Sequence, residues 1–189
     1  MPGLVQSNMI IRFWGVRGSI PCPGPETVRY GGNTSCVEVR CGRHLMIFDG
    51  GSGLRPLGDA LVKAGRPVNL DLFYSHSHLD HIVGLPFFAP AYSAGNRIRF
   101  WAGHLKPPAT IKGVLDKMMS SPLFPVPIDI LEAQLEFHDF VAVLGLAAVS
   151  IVHRLFSCLW FTPRTLRWRR HIGRHQAAPQ FAALIAHLD

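Results

Sequence analysis

Acidic residues vanish from the last quarter of this chain: after Asp139 only the terminal Asp189 carries a side-chain carboxylate. Lysine is absent from the same stretch, and its only glycines are Gly145 and Gly173. Cysteine is scarce throughout. Cys22, Cys36, Cys41 and Cys158 form no CxxC pair and are too few for a disulfide framework, so free buried thiols in a reducing cytoplasm are expected. No segment approaches the ~20 uninterrupted apolar residues of a membrane span. Met1–Met9 lacks the basic-then-apolar order of a secretory signal, and the expectation is a cytoplasmic protein without a membrane partner. Charged residues are only 16% of the chain, but 48% hydrophobic residues exclude wholesale disorder. At 189 residues the chain is long enough for one domain with an ordinary core.

What is present divides into two compositional regimes. Residues 1–140 hold 13 Lys/Arg against 11 Asp/Glu, whereas residues 141–189 hold six Arg against one acid. Most of the net charge of +7 therefore lies in the second regime. A basic excess of this kind can mark nucleic-acid contact. In the first regime short β-rich runs alternate with glycine turns: Met9–Trp14, Thr34–Arg40, His44–Phe48, Val68–Ser75, Arg97–Trp101 and Gln134–His138 read as strands. Leu54, Leu57, Leu61 and Val62 have helical spacing that stops at Gly65, and further helices are expected over Ile82–Phe88 and Ala109–Ser120. Strands on both sides of short helices imply a layered α/β domain.

The apolar run Val68–Ser75 delivers His76-Ser77-His78-Leu79-Asp80-His81, four metal-ligand side chains within six residues. Imidazole and carboxylate suit a divalent ion that must keep one coordination position open for water. Leaving a strand, His76 and His78 point to the same side and can share one ion. Asp80 and His81 reach the same cavity from the start of a helix, which suits a two-metal arrangement with ions roughly 3.5–4 Å apart. The plainer alternative is a solvated, histidine-rich turn. Arg17, in the loop Gly15–Pro21, can meet a phosphate or remain solvated. Asp49 is either a brace for the metal loops or a helix cap. His44, His104 and the pair His138-Asp139 are read as non-ligands.

His76-x-His78-x-Asp80-His81 resembles the HxHxDH signature of the metallo-β-lactamase-fold metallohydrolases. Arg12–Pro21, Gly31–Cys36, Phe48–Gly53 and Phe124-Pro125-Val126-Pro127 are similar to segments of a bacterial phosphodiesterase-like branch, akin to RNA-processing and cyclic-nucleotide phosphodiesterases. The resemblance covers about residues 9–140. It implies an αββα sandwich with a metal site at one edge, of which this chain holds the N-terminal half. By that likeness His76 and His78 bind a first ion, Asp80 and His81 a second, and Asp80 orients or deprotonates the attacking water. One or two zinc ions, or manganese, are implied as cofactors. The implied substrates are small-molecule or nucleotide phosphodiesters, with nucleic acid and a homodimer as further partners.

The chain departs from that pattern after Phe140. The family's second half supplies another histidine for the first ion, a bridging aspartate and a final histidine. Here Asp189 is the one later aspartate. His153 follows a strand-like run, Ala147–Val152, but stands in no Asn-His-Pro context, while His171, His175 and His187 lie in Arg-rich or helical sequence. Residues 141–189 are read as a divergent basic segment, with a helix over Ala177–Leu188, or as the product of a changed reading frame. The functional expectation is a metal-dependent phosphodiester hydrolase. The alternative is a degenerate, non-catalytic member that binds metal or nucleic acid weakly.

Overall fold

A computed structural model describes residues 9–140 of the protein. Six strands and three α-helices follow in the order β1 (Met9–Gly15), β2 (Cys36–Cys41), β3 (His44–Phe48), α1 (Leu54–Lys63), β4 (Asn69–Tyr74), α2 (Leu79–Ile82), β5 (Arg97–Ala102), α3 (Ile111–Met118) and β6 (Gln134–Asp139). The strands form one sheet whose spatial order is the chain order. β1 and β2 pair antiparallel, as do β2 and β3 across Gly42, which takes φ +56° in the hairpin turn. From β3 to β6 every pairing is parallel.

That topology decides where the helices go. Parallel neighbours require crossover connections, and a crossover of fixed right hand puts its helix on a face set by the direction of travel along the sheet. All three crossovers here step the same way, so their helices are expected on one face. Leu54, Leu57 and Leu61 of α1 and Ile111 and Leu115 of α3 share one buried cluster with Leu70, Leu72, Ile98 and Phe100 of the central strands. α1 stops where Gly65 adopts φ +65°, a common exit from a helix. α3 begins at Thr110, whose Oγ accepts from Gly113 N at 3.1 Å, while Asp139 Oδ1 accepts from Ile111 N at 2.9 Å. Between them the two side chains satisfy amides that the helix itself leaves open.

The opposite face follows from strand alternation. Register lines up Val37, Phe48, Phe73, Trp101 and His138 across five strands. The Phe48–Phe73, Phe73–Trp101 and Trp101–His138 ring pairs stack at 5.3, 5.9 and 4.2 Å. One row away, Asp71 is buried and takes two bonds from Arg99, at 2.7 and 2.8 Å, and one from Trp101 Nε1 at 2.8 Å.

The strands and the helices α1 and α3 stand where sequence periodicity predicts them, within a few residues. Two readings need correction. The helix after the histidine cluster is Leu79–Ile82, not Ile82–Phe88; Gly84 and Pro86 break the pattern, and Leu85–Phe87 is a single 3-10 turn. β4 is not uniformly apolar, because Asp71 is held in its second face by Arg99. His138 and Asp139, read as non-ligands, have other partners: His138 stacks on Trp101, and Asp139 caps α3. The molecule is α/β as expected, and one sheet with helices on one face is the half of an αββα sandwich that the resemblance implies for this region. The readings of Cys158, His153, His171, His175, His187, Asp189, the run Ala147–Val152 and the helix Ala177–Leu188 lie outside the described residues.

Candidate metal centre

The carboxyl ends of the parallel strands converge on one edge of the sheet, the place where open α/β sheets bind ligands. Asp49 closes β3, the His76–His81 run follows β4, and His104 follows β5. Asp49 has φ +62° and is buried. Its carboxylate accepts from Ser35 Oγ at 3.0 Å, Ser75 N at 2.9 Å and Ser75 Oγ at 2.8 Å, and lies 2.8 Å from His81 Nδ1. Asp49 thus braces the loop that carries the four candidate ligands and is not a helix cap.

Ser75 passes that constraint on. Its hydroxyl donates to the Asp49 carboxylate, which can only accept, so its oxygen is left to accept from His76 Nδ1 at 3.0 Å. This assigns the His76 proton to Nδ1 and turns the Nε2 lone pair outward, as in metal-binding imidazoles whose other nitrogen donates to a neighbouring oxygen. Nε2 of His76 stands 3.1 Å from Nδ1 of His78. Two ligands on one tetrahedral zinc stand about 3.3 Å apart, given zinc–ligand bonds of about 2.0–2.1 Å. Asp80 Oδ2 and His81 Nε2 are 3.3 Å apart. Either a shared proton or a shared cation accounts for separations of this size, and the donor types suit zinc. The rings of His76 and His81 lie with centroids 4.0 Å apart, so the two pairs adjoin. Among the described residues no three of these donors converge on one ion position.

Electrostatics separate the histidines. Burial lowers the pKa of His76, and the neighbouring His81 and His78 add to this against the pull of Asp49 and Asp80. His76 is therefore held as the neutral imidazole that a metal requires. His81 goes the other way: burial opposes protonation, but its hydrogen bond to Asp49 and the charges of Asp49 and Asp80 outweigh it and raise the pKa. The pKa of His104 is lowered by burial.

The helix α2, which carries Asp80 and His81, is seated on the glycine turn after Asp49. Gly50 N donates to His81 O at 2.6 Å, and Gly84 N donates to Gly50 O at 2.8 Å. A Cβ on Gly51 would stand 2.1 Å from Asp80 O, so only glycine fits there. The loop Gly15–Pro21 meets the site through Ser19, whose N–H donates to Asp80 Oδ2 at 2.8 Å; Arg17 is exposed. A cavity of about 520 Å³ opens beside α2, with Pro21, Asn33, Ser52, Arg55 and Phe87 among its walls.

The structure brings the five side chains together; sequence reasoning put all four ligand candidates in one run and left Asp49 as brace or cap. It missed Ser35, Ser75 and Ser19, whose roles depend on contacts across 14, 26 and 61 residues. It also missed the contact of His104 Nε2 with Ser77 Oγ, at 3.2 Å. His44 begins β3 and so lies at the other end of the sheet, away from the site.

No family model matches the chain. A ribonuclease Z from Haloarcula marismortui is 29% identical over 127 residues, covering 65% of this chain and 37% of that protein. The chain thus spans little more than a third of the curated relative's length. Among solved structures, the metallo-β-lactamase-fold protein YhfI from Bacillus subtilis is similar over 70% of this chain and 45% of that one, at 16% identity and a TM-score of 0.44. A diphosphatase of the PhnP family is similar over 70% and 51%, at 18% identity and a TM-score of 0.43. YhfI is named for the metallo-β-lactamase fold, and the ribonuclease and the diphosphatase carry the names of hydrolases.

Proposed function

We propose that this chain is a metal-dependent hydrolase of the metallo-β-lactamase fold that acts on phosphodiesters. The observation that carries this reading is the pairing of donors: His76 with His78 and Asp80 with His81, each pair at the spacing of two ligands on one ion. His76 and His78 would hold a first ion and Asp80 and His81 a second. Zinc, or manganese in its place, would supply Lewis acidity toward the phosphoryl oxygen and would make water easier to deprotonate. The protein's own work is to keep His76 neutral, to fix its tautomer through Ser75, and to hold Asp80 by the Ser19 amide where it can orient or deprotonate the water. The name of the ribonuclease relative supports a nucleotide or nucleic-acid substrate. Among the described residues Cys22 and Cys36 are free thiols, which fits a cytoplasmic setting.

A second reading, a non-catalytic metal binder, is favoured by one observation: among the described residues the donors meet in twos, not threes. Metal content of the purified protein, measured with turnover of bis(p-nitrophenyl) phosphate, separates the two. Two ions per chain and turnover lost in His76→Ala support the hydrolase. At most one loosely held ion without turnover leaves the binder.

A further inference from the structure

We propose that His104 is a positioning residue for the metal loop, acting through Ser77. It rests on the reading of His76 and His78 as ligands, but on nothing about the substrate.

Side chains alternate along the extended stretch His76-Ser77-His78, so Ser77 points away from the two imidazoles. Whatever holds the Ser77 hydroxyl sets the direction of both neighbours. His104 lies just past the carboxyl end of β5, with Nε2 3.2 Å from Ser77 Oγ. Its own placement is fixed on both sides. Gly103 lies under the Phe140 ring so closely that a Cβ there would come within 2.4 Å of it, and Leu105 packs against the main core. The other ring nitrogen, Nδ1, is buried with no hydrogen-bond partner among the described residues. A proton on Nδ1 would leave a buried N–H unsatisfied, which proteins avoid more strictly than an idle lone pair. The proton therefore belongs on Nε2, and His104 donates to Ser77.

The loop is then held from both flanking strands. Asp49, at the end of β3, grips Ser75 on one side of His76. His104, past β5, grips Ser77 on the other. Groups of this kind, which touch ligands only through a neighbour, typically change metal affinity about 10–100-fold when removed.

The test uses the full chain. Zn²⁺ affinity is measured by competition with a chromogenic chelator, the visible spectrum of the Co²⁺-loaded protein is recorded, and urea unfolding of the metal-free protein is the control. His104→Leu and Ser77→Ala are each expected to weaken Zn²⁺ binding about tenfold or more and to alter the Co²⁺ bands. The double variant is expected to lose no more than the larger single loss, because both remove one bond. His104→Gln, which keeps a donor near the Nε2 position, is expected to restore affinity and spectrum. Unchanged affinity in both single variants, or losses that multiply in the double, overturns the proposal. Should His104→Leu fail to fold, Ser77→Ala alone decides. Absence of Zn²⁺ binding in the unsubstituted protein overturns the proposal together with the metal reading, whereas normal Zn²⁺ binding in the variants overturns the proposal alone.

Discussion

At Asp49 the backbone enters the left-handed region, a conformation that aspartate and asparagine tolerate better than most side chains. The same residue gathers Ser35, two groups of Ser75 and His81 around one buried carboxylate. Removing such an acceptor leaves one buried and several half-buried donors without a partner, at about 1–3 kcal/mol for a fully buried one before relaxation. Asp49→Asn keeps size and backbone tolerance but turns an amide N–H₂ toward groups that themselves donate. We expect it to lower unfolding stability by about 3 kcal/mol, and Asp49→Ala by more, since alanine adds strain at positive φ. Urea unfolding of the metal-free proteins measures both. A loss well under 1 kcal/mol in Asp49→Asn, on the order of an exposed substitution, would show that these bonds contribute little.

The elements repeat the lesson at larger size. α2 has only four residues, far too few to be stable alone, so it persists through what it sits on. Its seat is the glycine turn: Gly50 bonds to His81 O, and Gly51 leaves room for Asp80 O. Gly51→Ala is therefore expected to displace α2, cost about 1–3 kcal/mol in overpacking, and weaken Zn²⁺ binding by moving Asp80 and His81 together. Gly95→Ala is the matched control, since a Cβ there meets nothing within 4 Å, and it should stay within about 0.5 kcal/mol of the unsubstituted protein. Equal behaviour of the two variants in urea unfolding and Zn²⁺ titration would remove the seat from the account. These contrasts also explain what was legible in the sequence. α1 and α3 could be read because their apolar spacing is local. The start of α2 could not, because its support comes from a turn some thirty residues earlier in the chain. Asp71 hid in an apolar strand for the same reason: its partner, Arg99, is 28 residues away. The donor cluster was legible because all four of its side chains lie in one short run, whereas Asp49 and His104, which hold Ser75 and Ser77 beside and inside that run, come from other strands.

For the whole molecule, the consecutive strand order and the single direction of its crossovers have two consequences. They gather the carboxyl ends of β3, β4 and β5 beside one another, which brings Asp49, the His76–His81 run and His104 to one edge. They also put α1 and α3 on one face, so the two sides of the sheet carry different loads. On the helix side Phe100 is fully buried and stacks between Tyr74 and Phe137 at 6.2 and 5.1 Å. On the other side, at the β1 edge, Phe13 is 51% exposed. Phe100→Ala is expected to cost about 3–5 kcal/mol, a large part of the roughly 5–15 kcal/mol that holds a typical domain together. Phe13→Ala removes an identical side chain from the same sheet, yet half of its surface is already in water, and its cost should stay below about 1 kcal/mol. Urea midpoints for the two variants measure the asymmetry directly. Losses of equal size would mean that the β1 edge carries as much of the folding free energy as the helix-covered core, and the one-sided account of the sheet would have to be given up.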